Sequence, residues 1–319
     1  ERRAGAAAVT LAPEWGLDDL AWRVTAAFTP YFDLRGHHDD WQRTHRIALA
    51  AARRADDRHG QAIVLRNLGQ LALYQDGYTD AHAAFEESLR LFRQVDDRRG
   101  AGFALAGLGT VLRIGGDYEH ALDRCHEALS MFATVPDPHG EAVARLATGS
   151  VWLARGCLAP AQRWFADAHE LAAAIGDRHR EAHALRRIAG LHRLRGDLRT
   201  AREHTDRAVA IFEELNDDNC VGYANQDLGL LCLEDGDLSR ARLLLDTSLR
   251  RHRRSGDRSS EAEVLELLGR VHEALGEPAP AERYFRRARE IRHGLIPTAD
   301  HAGPSAGPMV TAAGRARVG

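Results

Sequence analysis

A register of forty residues that recurs six times without slippage constrains this chain more than any other feature. Asp57, Asp97, Asp137, Asp177, Asp217 and Asp257 form one column, and Ala81, Ala121, Ala161, Ala201, Ala241 and Ala281 a second. Gly69, Gly109, Gly149, Gly229 and Gly269 form a third, broken only by Ala189. Gly116, Gly156, Gly196, Gly236 and Gly276 form a fourth, with Asp76 and Gly77 covering the equivalent turn. Columns in fixed phase are the mark of one supersecondary unit stacked on copies of itself, each burying its neighbour's apolar face.

Every column has a physical reason. The Asp falls where a helix begins, and its carboxylate can accept from the orphan N–H groups of the first turn. After it, apolar residues follow at helical spacing, as in Ile63, Leu65, Leu68 and Leu71. A mid-helix Gly costs about 1 kcal/mol relative to Ala, which is tolerable where another helix must come close. The next Gly ends the helix in a left-handed cap. A second amphipathic helix carries the Ala column and then Phe85, Phe165 or Phe285 one turn on. Ser88, Ala128, Ala168, Ala208, Ser248 and Ala288 follow, so large and small side chains can interlock.

The unit Leu68-Gly69, Tyr78-Thr79-Asp80-Ala81, Phe85 and Ser88 resembles a tetratricopeptide repeat, as does Leu108-Gly109 with Asp117-Tyr118 and Ala121. The usual repeat has about 34 residues; here each helix gains most of a turn, and the family's Pro near the end of the second helix is missing. The resemblance implies an all-α, right-handed superhelical solenoid of about seven antiparallel helix pairs. The expected organisation is an N-terminal extension over 1–16, a degenerate first repeat over 17–56, and repeats over 57–96, 97–136, 137–176, 177–216, 217–256 and 257–296. The Pro/Gly/Ala/Thr-rich stretch 297–319 reads as a disordered tail or linker. The chain opens at Glu1 without Met, so a piece of something longer is expected.

In the first repeat Trp41 replaces the small Ala, amid Trp15, Trp22, Phe28, Tyr31 and Phe32. These aromatics either fill the first inter-repeat core or face an upstream domain. In the last helix, Tyr284, Phe285, Ala288 and Ile291 make the inner face. Arg283, Arg286, Arg287 and Arg289 form either a solubilising cap or a patch for an acidic partner.

The resemblance further implies that the first helix of each pair lines a concave groove. Projection at i, i+3, i+7 and i+10 turns Arg66, Gln70, Phe103, Arg113, His183, Arg186, Arg193, Tyr223 and Gln226 inward, with Glu263, Glu266 and Glu273 at the C-terminal end. The groove is expected to begin mixed and apolar, become basic near 183–193, and end acidic. Arg186 and Arg193, joined by Arg66 and Arg113, could clamp a carboxylate or phosphate; the plainer alternative is a solvated Arg face. Some relatives hold a peptide's terminal carboxylate with Asn and Lys residues. Here only Asn67 and Asn225 remain of that set, in a chain with no Lys at all.

Composition excludes several classes. A net charge of −3 with interleaved signs argues against a general nucleic-acid or anionic-membrane surface. No apolar run approaches about 18 residues, and no signal peptide is visible. Cys125, Cys157, Cys220 and Cys232 show no CxxC pairing, consistent with a reducing, cytoplasmic setting. Among the His residues, His37-His38, His179/His183 and His192 come nearest to ligand spacing. His179 and His183 are four apart on one helix, yet no Cys or Asp stands at a spacing that completes a site, so neither metal nor cofactor is expected. His183, among Arg residues, would give a modest pH response. No phosphate-binding loop, nucleophile elbow or dinucleotide fingerprint appears, so the expectation is a binding module and not an enzyme.

The long, Ala- and Arg-rich repeat is also similar to the C-terminal domain of large Streptomyces antibiotic regulators. There a DNA-binding region and a nucleotide-binding switch ATPase precede a tetratricopeptide sensor. That similarity implies a protein or peptide ligand in the groove, contact with an upstream switch domain, and no direct contact with DNA. A free-standing peptide receptor of the quorum-sensing type and a passive assembly scaffold are the alternatives.

Overall fold

The Asp column does what a cap must. Asp57, Asp97, Asp177 and Asp217 each accept from the backbone N–H three residues on, at 2.8 to 3.0 Å. Asp117, Asp197 and Asp237 repeat the contact at the second helices. The computed structural model of the chain describes residues 2–295; the tail expected over 297–319 lies outside the described residues. In it, α1 (Arg2–Leu11) and a 3-10 turn (Ala12–Trp15) precede seven consecutive antiparallel pairs. These are α2 (Asp18–Arg35) with α3 (His38–Arg54), α4 (Arg58–Tyr74) with α5 (Tyr78–Gln94), and α6 (Arg98–Ile114) with α7 (Tyr118–Thr134). Next come α8 (Pro138–Ala154) with α9 (Leu158–Ala174), α10 (Arg178–Leu194) with α11 (Leu198–Glu214), α12 (Asp218–Glu234) with α13 (Leu238–Ser255), and α14 (Arg258–Ala274) with α15 (Pro278–Leu295). No strand occurs among the described residues.

The turns inside the pairs adopt the left-handed conformation, with Gly116, Gly156, Gly196, Gly236 and Gly276 at φ 75 to 83°. Asp76 takes this role at φ 57° where Gly is missing, a conformation Asp tolerates better than most residues.

The mid-helix Gly column is explained by what lies opposite, sixteen residues on. A Cβ on Gly149 would sit 2.6 Å from the Phe165 ring, one on Gly109 2.6 Å from Cys125 Sγ, and one on Gly229 2.6 Å from Leu245. At the exception, Ala189, the opposite residue is the small Thr205. The Ala column is buried throughout. Ser88 and Ser248 donate from Oγ to the carbonyls of Ala62 and Gly222, each at 2.8 Å, tying the second helix of a pair to the first.

In the degenerate unit, Trp41 and Phe32 are buried with Leu71, against Phe28 and Tyr74. The Trp22 indole N–H donates to Asp57 at 2.7 Å. Those aromatics therefore fill a core, while Trp15 is 77% exposed and Tyr31 is also at the surface. Burial pulls the His45 pKa down to about 3; its Nδ1–H donates to the Trp41 carbonyl at 2.8 Å. A folded pKa below the unfolded value near 6.5 means that this contribution to stability is complete above pH 6.5. It is lost as pH falls toward 3, at about 2 to 3 kcal/mol by pH 4.5. Thermal melts at pH 7 and 4.5 should show this loss in the parent and a much smaller one in His45→Gln.

First helices of successive pairs touch along the inside, whereas second helices, α1 on α3 apart, share no contact of similar extent. The coil then meets itself: α2 packs on α12. Asn219 Nδ2 donates to the Asp33 carbonyl at 3.2 Å, Ser259 N to Asp76 at 2.9 Å, and His38 Nδ1 to the Ser255 carbonyl at 2.7 Å. The concave face is thus a partly closed interior with a seam between the first two and last two pairs.

Candidate functional site

The residues projected inward form a ladder between neighbouring first helices. Arg186 on α10 donates from Nε to Asp227 on α12 at 2.6 Å, and its guanidinium lies 5.2 Å from the Tyr223 ring. Arg193 pairs with Glu234 at 2.8 Å. The Tyr223 hydroxyl donates to Asp257, and Gln226 Nε2 to Glu263 at 2.9 Å. Arg66 on α4 donates to Asn67 at 2.6 Å and lies 5.5 Å from the Phe103 ring on α6, while Gln70 is half-buried on the same helix as Arg66. Asn67 is committed in turn, donating to Thr29 at 3.0 Å, and Asn225 is buried.

These partners revise the expected charge pattern. Arg186 and Arg193 carry counter-ions from the next unit, so the stretch 183–193 is not an open basic wall. Burial alone would lower the proton affinity of Arg186; Asp227 outweighs it and raises that affinity above the ordinary value. At the acidic end, burial raises the Glu263 pKa, and Glu266 is paired with Arg292.

Arg66, Arg113 and Arg187 on first helices have no ion-pair partner among the described residues. Burial lowers Arg66 to about 10 and lowers Arg113 as well. Arg187 falls to about 9, through burial first and then repulsion by Arg186 and Arg113. Arg113 on α6 and Arg187 on α10 both lie on first helices, two pairs apart. A guanidinium in such a setting favours an incoming carboxylate or phosphate, which it can bind through two parallel N–H donors. The projection missed Arg187 because it allowed one narrow stripe. A wider stripe adds the residue four past His183.

His183 points away from such a role. Burial holds its pKa well below the ordinary value, with repulsion from His179 and Arg180 adding to it. Its Nε2 sits 3.5 Å from Cys220 Sγ. The expectation that no Cys or Asp completes the His179/His183 pair is overturned: Cys220 and Asp217, both from the next unit, stand beside it.

Stacked helix pairs with a lined interior define a tetratricopeptide-like solenoid, and residues 221–292 match the tetratricopeptide repeat model. A solved Rap protein complexed with competence and sporulation factor is similar at 16% identity and a TM-score of 0.71, over 86% of this chain and 76% of that one. NprR in complex with its cognate peptide NprX is similar at 12% identity and 0.64, over 85% and 78%. BtubC from P. vanneervenii is similar at 18% and 0.55, over 73% and 98%. No curated protein matches the chain. No helix among the described residues is long and apolar enough to cross a membrane.

Proposed function

We propose that the interior of the solenoid binds a peptide or an extended protein segment, anchoring a carboxylate or phosphate of that ligand on Arg113 and Arg187. One observation carries the reading: Arg113 and Arg187, both on first helices, have no ion-pair partner among the described residues, and burial lowers the proton affinity of each. Such a pair is destabilising until an anion arrives, so binding energy is available there and not at the already neutralised Arg186 and Arg193. The peptide seen with NprR, a solenoid of similar fold, supports a peptide as the ligand. The module itself is non-catalytic. In the wider protein it serves as the ligand-sensing or autoinhibitory part of a bacterial transcriptional regulator, and works by differential affinity for two states of a neighbouring switch domain.

Fluorescence anisotropy against peptide libraries with free, amidated and phosphorylated ends tests the site. Arg113→Glu with Arg187→Glu is expected to weaken the selected peptides roughly tenfold to a hundredfold, since hydrogen bonds to charged groups contribute about 1.5 to 3 kcal/mol. Arg113→Gln with Arg187→Gln should lose affinity likewise, with the melting temperature held or raised because neither site then carries a charge. Unchanged affinity would remove this site. The coding sequence upstream of Glu1 tests the wider role: a DNA-binding region and switch ATPase support a regulator, and a short independent frame supports a free-standing receptor.

A further inference from the structure

We propose that His179, His183 and Cys220, with the Asp217 carboxylate against His179, form a binding site for zinc or a similar divalent transition metal, linking the fifth and sixth helix pairs. His179 and His183 lie one turn apart on α10, and Cys220 lies in the first turn of α12, three residues after its cap residue Asp217. Cys220 Sγ is 3.5 Å from His183 Nε2 and 3.9 Å from His179 Nε2, and Asp217 Oδ2 is 2.8 Å from His179 Nε2. Zinc–nitrogen bonds of about 2.0–2.1 Å and zinc–sulfur bonds of about 2.3 Å at a tetrahedral angle require ligand atoms roughly 3.3 to 3.6 Å apart. The donor atoms of His179, His183 and Cys220, all within 4.8 Å of one another, therefore need only small shifts to meet a common ion.

The repeat supplies its own control. The contact of His179 with the next cap Asp recurs at His59 with Asp97 and His139 with Asp177, so by itself it is part of the architecture. The positions equivalent to His179, His183 and Cys220 hold His59, Ile63 and Gly100 in one unit, and Arg99, Phe103 and Gly140 in the next. They hold His139, Val143 and Arg180, then Asn219, Tyr223 and Ser260, in two others. All three ligand types coincide at one junction alone.

The surroundings suit a divalent ion. Phe212 meets both imidazoles edge-on, at 5.8 and 5.2 Å between ring centroids, and fixes their planes. The Cys220 thiolate and the nearby Asp217 carboxylate offset the ion's charge, and the nitrogen and sulfur donors select zinc over magnesium or calcium. The ion displaces the Cys220 thiol proton to solvent and takes the place of the proton shared by His179 and Asp217. Arg180, now against His179 Nδ1, swings aside as that nitrogen takes up the proton. Across the seam, Asp33 on α2 acts electrostatically on the same His179 and Asp217, so a bound ion would also draw the first pair toward the sixth.

Cobalt(II) chloride titrated into the whole chain after chelator treatment tests the site. One equivalent should give tetrahedral visible bands and a near-ultraviolet thiolate-to-cobalt charge-transfer band, which zinc then bleaches. Cys220→Ser should abolish the charge-transfer band, and His183→Gln should weaken zinc binding by about a hundredfold; Cys157→Ser and His139→Gln should change neither. No charge-transfer band in the parent chain, or a band that survives Cys220→Ser, overturns the proposal. Should Cys220→Ser fail to fold, His183→Gln decides instead: a charge-transfer band that forms there at the parent's cobalt concentration overturns the proposal. Peptide binding plays no part in these readouts, so the peptide reading and the metal site stand or fall separately.

Discussion

Gly149→Leu is expected to cost about 3 kcal/mol or more and to unfold the centre of the solenoid first, because even a bare Cβ there falls 2.6 Å from the Phe165 ring. Phe165 is fully buried, and its helix is held against α8, so neither side can yield cheaply. Shortening the opposing residue should restore much of the loss, and Gly149→Leu with Phe165→Ala is expected to melt well above the single variant. Gly190 provides the contrast, since a Cβ added there meets nothing within 4 Å. Gly190→Ala should stabilise α10 by about 0.5 to 1 kcal/mol. Circular dichroism melts of the four chains measure all of this, and equal melting temperatures for Gly149→Leu and the parent would refute the account of the Gly column.

Asp227→Asn should move stability and anion affinity in opposite directions. Its carboxylate is the counter-ion of Arg186, whose side chain is 14% exposed against 37% for Asp227. Removing one partner from a fully buried pair costs about 3 to 5 kcal/mol. With Asp227 more than a third exposed, about 2 kcal/mol is the expected loss. The same change strips Arg187 of the attraction Asp227 exerts on it and adds Arg186 to the uncompensated guanidiniums. Inorganic phosphate and an acidic peptide should therefore bind roughly tenfold tighter, read by calorimetry beside a thermal melt. A variant both as stable and as weakly anion-binding as its parent would refute the ladder's role.

Local chemistry was the most legible part of the chain. The Asp caps, the left-handed turns and the Gly and Ala columns each act within a pair, so their spacing discloses them. The Phe165 ring opposite Gly149 and the small Thr205 opposite Ala189 turn that register into packing. What was not legible lies between units. Asp227 neutralises Arg186 from 41 residues on, outside any single-helix projection. Arg187 lies just beyond the assumed stripe. Cys220 and Asp217 join His179 only when spacings near one repeat length are added to those of one helix turn. The seam is more remote still: Asn219 reaches Asp33 across 186 residues, a separation fixed by the summed twist of the units and by no local motif.

That seam gives the molecule the mechanics of a coil spring whose end turns touch. Hydrogen bonds such as Asn219 to Asp33, Ser259 to Asp76 and His38 to Ser255 hold it with the α2–α12 contact, and each such bond is worth only about 1 kcal/mol net. Parting the turns therefore takes far less work than unfolding any one helix pair, and every unit keeps its core while the pitch changes. The distance between the first and last pairs is thus the soft coordinate of the protein. A ligand that fills the bore, or a partner that grips both ends, exchanges energy with the protein through that length.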